Sequence, residues 1–229
     1  MSFNAAVNEL TVKEFAGQQK KEDLPLTTSA FSFRDIAICH DMRRTVAYLH
    51  KTRGIDYDIL QKLIQEKYIF QEDETNNAIF PIYDEHRQPV GAEVCGTLSD
   101  KRFKGVKAGS KHGYGFNISV SEPLRYALFF ESAIDLISFY ELERTNGKTL
   151  TGCLLVSLAG VKESVVEHTL TVFKCPLDAL QPVICVDSDV AGVTFTERLK
   201  TRLNGVRTRL PDSPYKDWNE QLKVRKARA

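Results

Sequence analysis

Two aspartates, Asp187 and Asp189, are the clearest candidates for chemistry in the 229-residue chain. They come directly after a short apolar run, within the segment PVICVDSDVAG at residues 182–192. Strand side chains alternate between faces, so carboxylates at i and i+2 point the same way and can share one hard cation. The spacing therefore predicts a Mg²⁺ site. The same pattern is also typical of a turn whose aspartate caps the next helix, and these residues alone leave both interpretations open.

The elements that must position these acids alternate along the second half of the chain. Strands are predicted at residues 126–130, 153–158, 182–189 and 206–210, with helices at about 132–142, 160–173 and 191–203. This order predicts an α/β fold, in which a parallel four-stranded sheet is flanked by helices on both faces. Ligands of such sheets collect at the carboxyl ends of the strands.

Polar residues follow all four predicted strands and should meet at that edge. Glu131 follows the first strand, Ser157 ends the second, Asp187 and Asp189 end the third, and residues 212–217 follow the fourth. A lone glutamate after a strand is more often a first-turn helix residue favoured by the helix dipole. The coincidence of four such segments favours a shared site instead.

Two neighbours of these acids carry separate predictions. Asp135 lies one helical turn after Glu131, where it could help tune that glutamate, face solvent or pair with a basic residue. The single tryptophan, Trp218, is expected to anchor the last helix to the sheet.

The first half of the chain is organised differently and predicts an α+β subdomain. Residues 1–35 are polar without a sustained period, which predicts a flexible arm. Helical patterns run to Gly54 and then onward from Asp56, a potential N-cap, and residues 77–120 read as an antiparallel β meander. The predicted domains are an arm (1–35), a basic subdomain of two helices and a meander (36–120), and a parallel-sheet domain (121–229).

A basic loop, KRFKGVKAGSK at residues 101–111, contains five cations and no acid. Such a loop can hold a phosphate backbone, which makes Lys104, Lys107 and Lys111 candidate nucleic-acid contacts and Arg53 a less certain helper. A solvated surface hairpin is the alternative. The nearby Tyr114 and Phe116 could stack on a base or pack in the core.

Composition narrows the class of protein. Hydrophobic residues make up 42% and charged residues 27%, as in ordinary globular proteins, and the net charge is +1. The sequence has neither an apolar run of membrane-spanning length nor a signal-peptide pattern, so a cytoplasmic protein without membrane contact is expected. The five cysteines are scattered and form no Cys-x-x-Cys pair, which predicts neither a disulfide framework nor a zinc site.

Four segments together resemble the Toprim domain, the catalytic fold shared by bacterial primases, topoisomerases and several nucleases. They are FFESAIDL (129–136), VSLAG (156–160), CVDSDVAG (185–192) and KDWNEQL (216–222). The resemblance implies that Asp187 and Asp189 bind Mg²⁺ or Mn²⁺ and that Glu131 shares a metal or acts as general acid or base. It also implies that Asp217 is a weaker metal contact and that Lys216 contacts phosphate.

The first half resembles the basic region before Toprim in primase-like proteins of plasmids and other mobile elements. The matching segments are TRGID (52–56), NAIFPIYDEHRQPVGAE (77–93) and FKGVKAGSKHGYGF (103–116). One departure is Cys95, which stands where relatives tend to carry an arginine able to grip phosphate. The zinc-binding module of bacterial primases is also not encoded here.

The resemblance implies metal-dependent nucleotidyl transfer, which is primer synthesis on single-stranded nucleic acid. The implied partners are single-stranded DNA or RNA, nucleoside triphosphates, and a helicase or relaxase. Two alternatives remain open: a Toprim nuclease that uses the same acids, and a non-catalytic nucleic-acid-binding accessory protein.

Overall fold

The computed structural model describes residues 30–98, 103–174 and 180–228. Residues 1–29 of the predicted arm, and Lys101 and Arg102 of the predicted basic loop, lie outside the described residues. The helices are α1 (Arg43–Ala47), α2 (Tyr57–Gln65), α3 (Ala133–Thr145), α4 (Glu163–Val172), α5 (Val190–Arg202) and α6 (Trp218–Arg228). The strands are β1 (Ile38–Cys39), β2 (Phe70–Glu72), β3 (Ala78–Tyr83), β4 (Pro89–Cys95), β5 (Lys104–Val106), β6 (Asn117–Ser119), β7 (Tyr126–Phe130), β8 (Cys153–Ser157), β9 (Gln181–Ile184) and β10 (Arg207–Thr208).

The two predicted helices of the first half are present. α1 continues as a π-helical stretch (Tyr48–Thr52) and stops at Gly54, whose φ of +74° a residue with a side chain would rarely adopt. Asp56 caps α2, and its side chain accepts a hydrogen bond of 3.0 Å from the backbone N–H of Asp58. α2 ends at Gln65, and Lys67 just beyond it adopts a φ of +65°, which turns the chain out of the helix before β2 begins at Phe70.

The first sheet is antiparallel throughout, with strand order β1-β2-β3-β4-β5. β3 and β4 form its long hairpin, and the register sets Phe80 opposite Glu93. Asp84 stabilises the turn between them by accepting hydrogen bonds from the backbone N–H groups of His86 and Gln88. The hairpin presents Glu93 and Cys95 on one face, because side chains two positions apart point the same way.

The second sheet contains the four predicted parallel strands, in the order β10-β9-β7-β8. α4 and α5 cover one face through residues such as Val166 and Phe195, whereas α3 and α6 cover the other through Phe139 and Trp218. The predicted α/β architecture is therefore confirmed. β7 is the central strand and carries Glu131 directly beyond its last residue.

The segment 113–120 corrects one prediction. It was expected to belong to the antiparallel meander, but β6 pairs antiparallel with β8 and forms the fifth strand of the second sheet. Ile118 lies opposite Leu155, so its side chain joins the core that both halves of the chain share. A short apolar strand encodes burial but not the identity of its partner, which is why its sequence did not reveal this pairing.

The shared core explains why the two sheets stay together. One buried cluster contains Leu60 from α2, Phe80 from β3, Phe116, Phe130 from β7 and Phe139 from α3. The domain boundaries near residues 35 and 120 stay predictions. Of the helices in the described ranges, none has the length and apolar character that crossing a membrane requires.

Candidate functional site

Asp187 lies in the loop between β9 and α5 and is only 7% exposed. Its Oδ1 atom is buried and has no hydrogen-bond partner within the described part of the chain. Burial, reinforced by the nearby carboxylates of Asp135 and Glu131, raises the pKa of Asp187 to about 8. In the absence of a cation, Asp187 therefore holds a proton at neutral pH.

Asp189 is positioned differently, although it lies only two residues away. It caps α5, with its Oδ1 accepting a hydrogen bond of 3.0 Å from the backbone N–H of Gly192, while its Oδ2 lies 3.2 Å from Lys216 Nζ. The hydrogen bond from Gly192, and then the one from Lys216, lower the pKa of Asp189 below its ordinary value. The helix-cap interpretation is thus confirmed, and the capping carboxylate stays ionised beside Asp187.

Gly192 explains why the chain can make this turn. A Cβ atom at Gly192 would lie 2.1 Å from the carbonyl oxygen of Asp187, a distance that no real contact allows. The absence of a side chain lets the first turn of α5 press against the Asp187 backbone. The Ala-Gly pair after the aspartates therefore has a steric reason.

Glu131 is half-buried at the carboxyl end of β7. Burial, and then the charge of Asp189, raise the pKa of Glu131 above its ordinary value, while Lys104 and Lys216 act in the opposite direction. Its backbone carbonyl accepts a hydrogen bond of 2.9 Å from Gly160 N–H, which fixes it against the loop after β8. A carboxyl group with a raised pKa, close to an ionised one, is suited to proton transfer.

The segment before α6 completes this edge of the sheet. The Lys216 carbonyl accepts a 2.8 Å hydrogen bond from the Ser188 N–H, which ties the segment to the aspartate loop. Asp217 Oδ1 accepts a 2.7 Å bond from the Glu220 N–H and so stabilises the start of α6. Trp218 Nε1 donates to the Cys185 carbonyl at 2.7 Å, which confirms its predicted anchoring role.

Asp135 does not face solvent, which corrects one of the three positions predicted for it. It is 6% exposed, and its Oδ2 accepts a hydrogen bond from the Ser132 hydroxyl in the first turn of α3. Burial, and then the charge of Asp217, raise the pKa of Asp135 to about 6. Asp135 therefore adds a further buried carboxyl to the site.

Glu93 is a site residue that the sequence prediction missed. It projects from β4 of the first sheet and is 6% exposed. Together with Lys104 and Glu131 it lines a cavity of about 160 Å³ between the two sheets. The sequence did contain a signal for this residue, which is a glutamate inside the otherwise apolar run VGAEVC. A charged side chain is rarely buried in a strand unless it has polar partners there.

The three lysines of the predicted phosphate-binding loop lie in different surroundings. Lys104 lines the cavity beside Glu131. Lys107 forms an ion pair with Glu72. Lys111 lies over the Tyr114 ring, with its Nζ 4.8 Å from the ring centroid.

The predicted aromatic contacts belong to the core. Tyr114 is 8% exposed and packs edge-on against His168, and Phe116 is fully buried against Tyr68 and Phe80. Of the two alternatives given by the sequence, packing in the core describes both residues.

Arg53 lies near Cys95, the position where the resemblance to primase-like proteins led us to expect an arginine. Its Nε donates a 2.9 Å hydrogen bond to Tyr48 Oη, which in turn lies 3.6 Å from Cys95 Sγ. The Arg53 carbonyl accepts a 2.7 Å hydrogen bond from Asn219 of α6. An arginine is therefore present next to Cys95, although it reaches this place from another segment.

The carboxylates fit a divalent cation in their chemistry, although they are not gathered around a single point. Among residues 30–98, 103–174 and 180–228, no three His, Cys, Asp or Glu side chains converge closely enough to hold a metal ion. The partnerless Oδ1 of Asp187 is the atom that a cation would satisfy. Burial, and then repulsion from neighbouring carboxylates, raises the pKa of Asp187 and Glu131, and a cation would neutralise that repulsion.

A comparison with protein families identifies the part of the chain that contains these acids. Residues 128–222 match the family model described as Toprim-like. The chain contains a Toprim-like domain. Residues 47–122, before this domain, match a family described as a protein of unknown function, DUF3991.

Curated relatives extend across both matched regions but are longer than this chain. The uncharacterized protein pXO2-78 of Bacillus anthracis is 30% identical over 206 residues, which is 79% of this chain and 57% of the relative. The 65 kDa protein of Zymomonas mobilis is 30% identical over 188 residues, which is 76% of this chain and 30% of that protein. The chain thus spans about half, or less, of the curated relatives it matches.

Solved structures share the fold of the Toprim-like domain together with the region before it. The primase fragment of the bacteriophage T7 primase-helicase protein superposes with a TM-score of 0.59 at 18% identity, covering 95% of this chain and 83% of that one. The RNA polymerase domain of Mycobacterium tuberculosis primase DnaG gives a TM-score of 0.51 at 12% identity, covering 81% and 74% of the two chains. The predicted resemblance to primases is confirmed at the level of the fold.

Proposed function

We propose that the protein is a primase-like nucleotidyltransferase that joins nucleotides on single-stranded nucleic acid with the help of Mg²⁺ or Mn²⁺. The observation that carries the proposal is the partnerless, buried Oδ1 of Asp187 at the carboxyl edge of a Toprim-like sheet. A buried carboxylate without a partner is destabilising unless the site binds something there. The primase fold, which extends across 95% of the chain in the T7 comparison, supports the same reaction class.

The site residues divide into cation-binding and proton-transfer roles. Asp187 and Asp189 would hold the cation, with Asp217 as an additional oxygen donor. When bound, the cation supplies neutralising charge at the transferred phosphorus and the leaving oxygen. Glu131, whose pKa is raised by burial, can accept the proton of the attacking hydroxyl as this oxygen bonds to the α-phosphorus and pyrophosphate leaves.

Phosphate groups of the substrate would meet cations on two sides of the acids. Lys104 reaches the cavity from the first sheet, and Lys216 lies beside Asp189. One of the structural neighbours comes from an assembly of the T7 lagging-strand DNA polymerase with primase domains of two gp4 subunits, bound to an RNA/DNA hybrid and dTTP, and it superposes with a TM-score of 0.55 at 20% identity. This neighbour supports nucleic acid and nucleoside triphosphates as the substrates proposed here.

The biological setting is part of the same proposal. The relative pXO2-78 supports a role in the replication or transfer of plasmids or other mobile elements. A helicase or relaxase would then supply the single strand. We expect the protein to act in the cytoplasm.

The direct test is incubation of the purified protein with single-stranded DNA, labelled nucleoside triphosphates and Mg²⁺ or Mn²⁺. We expect labelled products that need the cation, that disappear in Asp187→Ala, and that persist in Asp58→Ala, which removes an exposed carboxylate from α2. Shortening of labelled DNA without added triphosphates would assign the acids to a nuclease instead. Binding without either product would assign the protein to a non-catalytic accessory role.

A further inference from the structure

Lys223, on the exposed surface of α6, lies beside Arg53 and Gly54. Its Cγ atom would be 3.1 Å from a Cβ placed on Gly54. Asn219, one helical turn earlier on the same face of α6, donates a hydrogen bond of 2.7 Å to the Arg53 carbonyl. These contacts place the base of the Lys223 side chain against Gly54, the residue that follows Arg53, and tie the Arg53 backbone to α6.

Arg53 is connected in turn to Lys104 through the first sheet. Its Nε binds Tyr48 Oη, which lies 3.6 Å from Cys95 Sγ. Cys95 is directly opposite Lys104 in the antiparallel pair of β4 and β5, so their side chains share one face. Lys104 and Arg53 therefore stand on the two sides of Cys95.

Within the part of the chain that the structure describes, these three cations, Lys104, Arg53 and Lys223, form no ion pair with an acid. By contrast, Lys107 pairs with Glu72, and Lys226 on the same helix as Lys223 pairs with Glu141. A cation that already neutralises a carboxylate has less to gain from a phosphate.

The row of three cations also passes along the carboxylate site. Lys104 lines the cavity that contains Glu131. At the other end, the backbone N–H of Asn219, one helical turn before Lys223 in α6, lies 3.4 Å from Asp135 Oδ1, so the start of this helix borders the acids. A strand that follows the row would run past the point where the chemistry is proposed.

We propose that Lys104, Arg53 and Lys223 form a phosphate track that holds the backbone of a single-stranded nucleic acid, and that Lys223 is a binding residue of this track. The track deepens the proposed function by fixing where the template runs. It leaves out Lys107, one of the loop lysines expected from sequence, because Glu72 already neutralises its charge. Each unpaired cation releases a counterion from the strand when it contacts a phosphate, so the track has a salt-dependent signature.

The test measures the affinity of the whole chain for a labelled oligo(dT) in EDTA, without nucleotides, over a series of KCl concentrations. We expect Lys223→Gln to reduce the slope of log K against log[KCl] by about 0.7, the value for one phosphate contact to a single strand. Lys223→Gln should weaken the binding of oligonucleotides of different sequence by the same factor. Lys107→Gln removes the same charge from the ion-paired loop and should leave the slope unchanged.

Three results would overturn the track. They are an unchanged slope in Lys223→Gln, a reduced slope in Lys107→Gln but not in Lys223→Gln, and no binding of the oligonucleotide by the wild-type protein at low salt. Because Lys223 is exposed, its substitution does not threaten folding. The proposed function is tested separately by the formation of labelled product. A protein that shows the expected salt dependence but makes no product would retain the track and contradict only the proposed nucleotidyl transfer.

Discussion

The carboxylate of Glu93 accepts a 2.6 Å hydrogen bond from the hydroxyl of Ser157, although the two residues belong to different sheets. The other carboxylate oxygen accepts a 3.0 Å bond from the N–H of Ala133, in the first turn of α3. One buried side chain from β4 therefore holds both the end of β8 and the start of the helix that follows Glu131. The geometry of the site depends on the first sheet as much as on the second.

Substitution of Glu93 should show how much this connection stabilises the fold. Glu93→Ala leaves the buried Ser157 hydroxyl and Ala133 N–H without their acceptor, and we expect a loss of about 2 to 4 kcal/mol in the free energy of unfolding. Glu93→Gln keeps an amide oxygen and a similar volume, so its loss should be smaller. Urea unfolding of both variants, with the exposed Glu74→Ala as control, measures the difference. If Glu93→Ala lowers the free energy of unfolding no more than Glu74→Ala does, the hydrogen bonds of Glu93 do not stabilise the fold.

The metal-free protein should become less stable as pH rises, because of Asp187. Its pKa is about 8 in the folded state against an ordinary value of 3.8 for an aspartate, so the folded state binds more protons than the unfolded state between these pH values. Stability therefore falls as pH rises through this window and levels off above it. Asp187→Asn removes the titration, so its stability relative to wild type should increase across the window.

Unfolding in EDTA at several pH values, followed by the fluorescence of the single tryptophan, tests this expectation. Trp218 suits the measurement because it is 3% exposed and donates its indole N–H to Cys185, two residues before Asp187. The exposed Asp58→Asn is the matched control. A constant difference between Asp187→Asn and wild type at all pH values would contradict a raised pKa.

Binding of a divalent cation should release a proton near neutral pH. Asp187 is protonated there in the metal-free protein and must lose its proton to coordinate an ion. In a weakly buffered solution at about pH 7, Mg²⁺ or Mn²⁺ should release protons from the wild-type protein but not from Asp187→Asn. At about ten times the dissociation constant, the ion should also stabilise the wild type by roughly 1.4 kcal/mol. Equal stabilisation of Asp187→Asn would locate the ion elsewhere.

Gly192 should tolerate no side chain. The Cβ of Gly192→Ala would collide with the Asp187 carbonyl, and because backbone lies on both sides, relief requires a shift of the aspartate loop. We expect a loss of about 1 to 3 kcal/mol in stability and weaker divalent-ion binding. Gly105→Ala is the matched control, because its Cβ would meet only the Phe103 ring at 3.4 Å. Equal effects of the two substitutions on ion binding would show that the Gly192 contact does not position Asp187.

The sequence predicted those parts of the site that depend on local order. Alternating strands and helices placed Glu131, Asp187 and Asp189 at the ends of neighbouring strands, because a parallel sheet brings its carboxyl ends together. The cap at Asp189 was recognisable because a capping residue and its helix are adjacent in sequence. Asp56 and Gly54 were predicted correctly for the same reason, because each is adjacent in sequence to the helical segment that it begins or ends.

The parts that escaped prediction depend on contacts between distant segments. Glu93 meets Ser157 across 64 positions, and the pairing of β6 with β8 joins segments separated by a helix and a strand. The different surroundings of Lys104 and Lys107 are set by Glu72, a residue of another strand. Composition showed that these side chains were charged, but only the packing determines which charges are already neutralised.

The contact between Lys216 and Asp189 means that uptake of the proposed cation would be an exchange and not the filling of a vacancy. An exposed ammonium group, attached to the chain itself, already occupies one side of the Asp189 carboxylate. A monovalent ion would bring no more charge than the tethered lysine it must displace, and it would lack the advantage of attachment. A divalent ion would bring twice the charge, so we expect the proposed site to discriminate by valence before coordination geometry matters. The lysine set free by such an exchange would lie beside the acids with its charge available to an arriving phosphate.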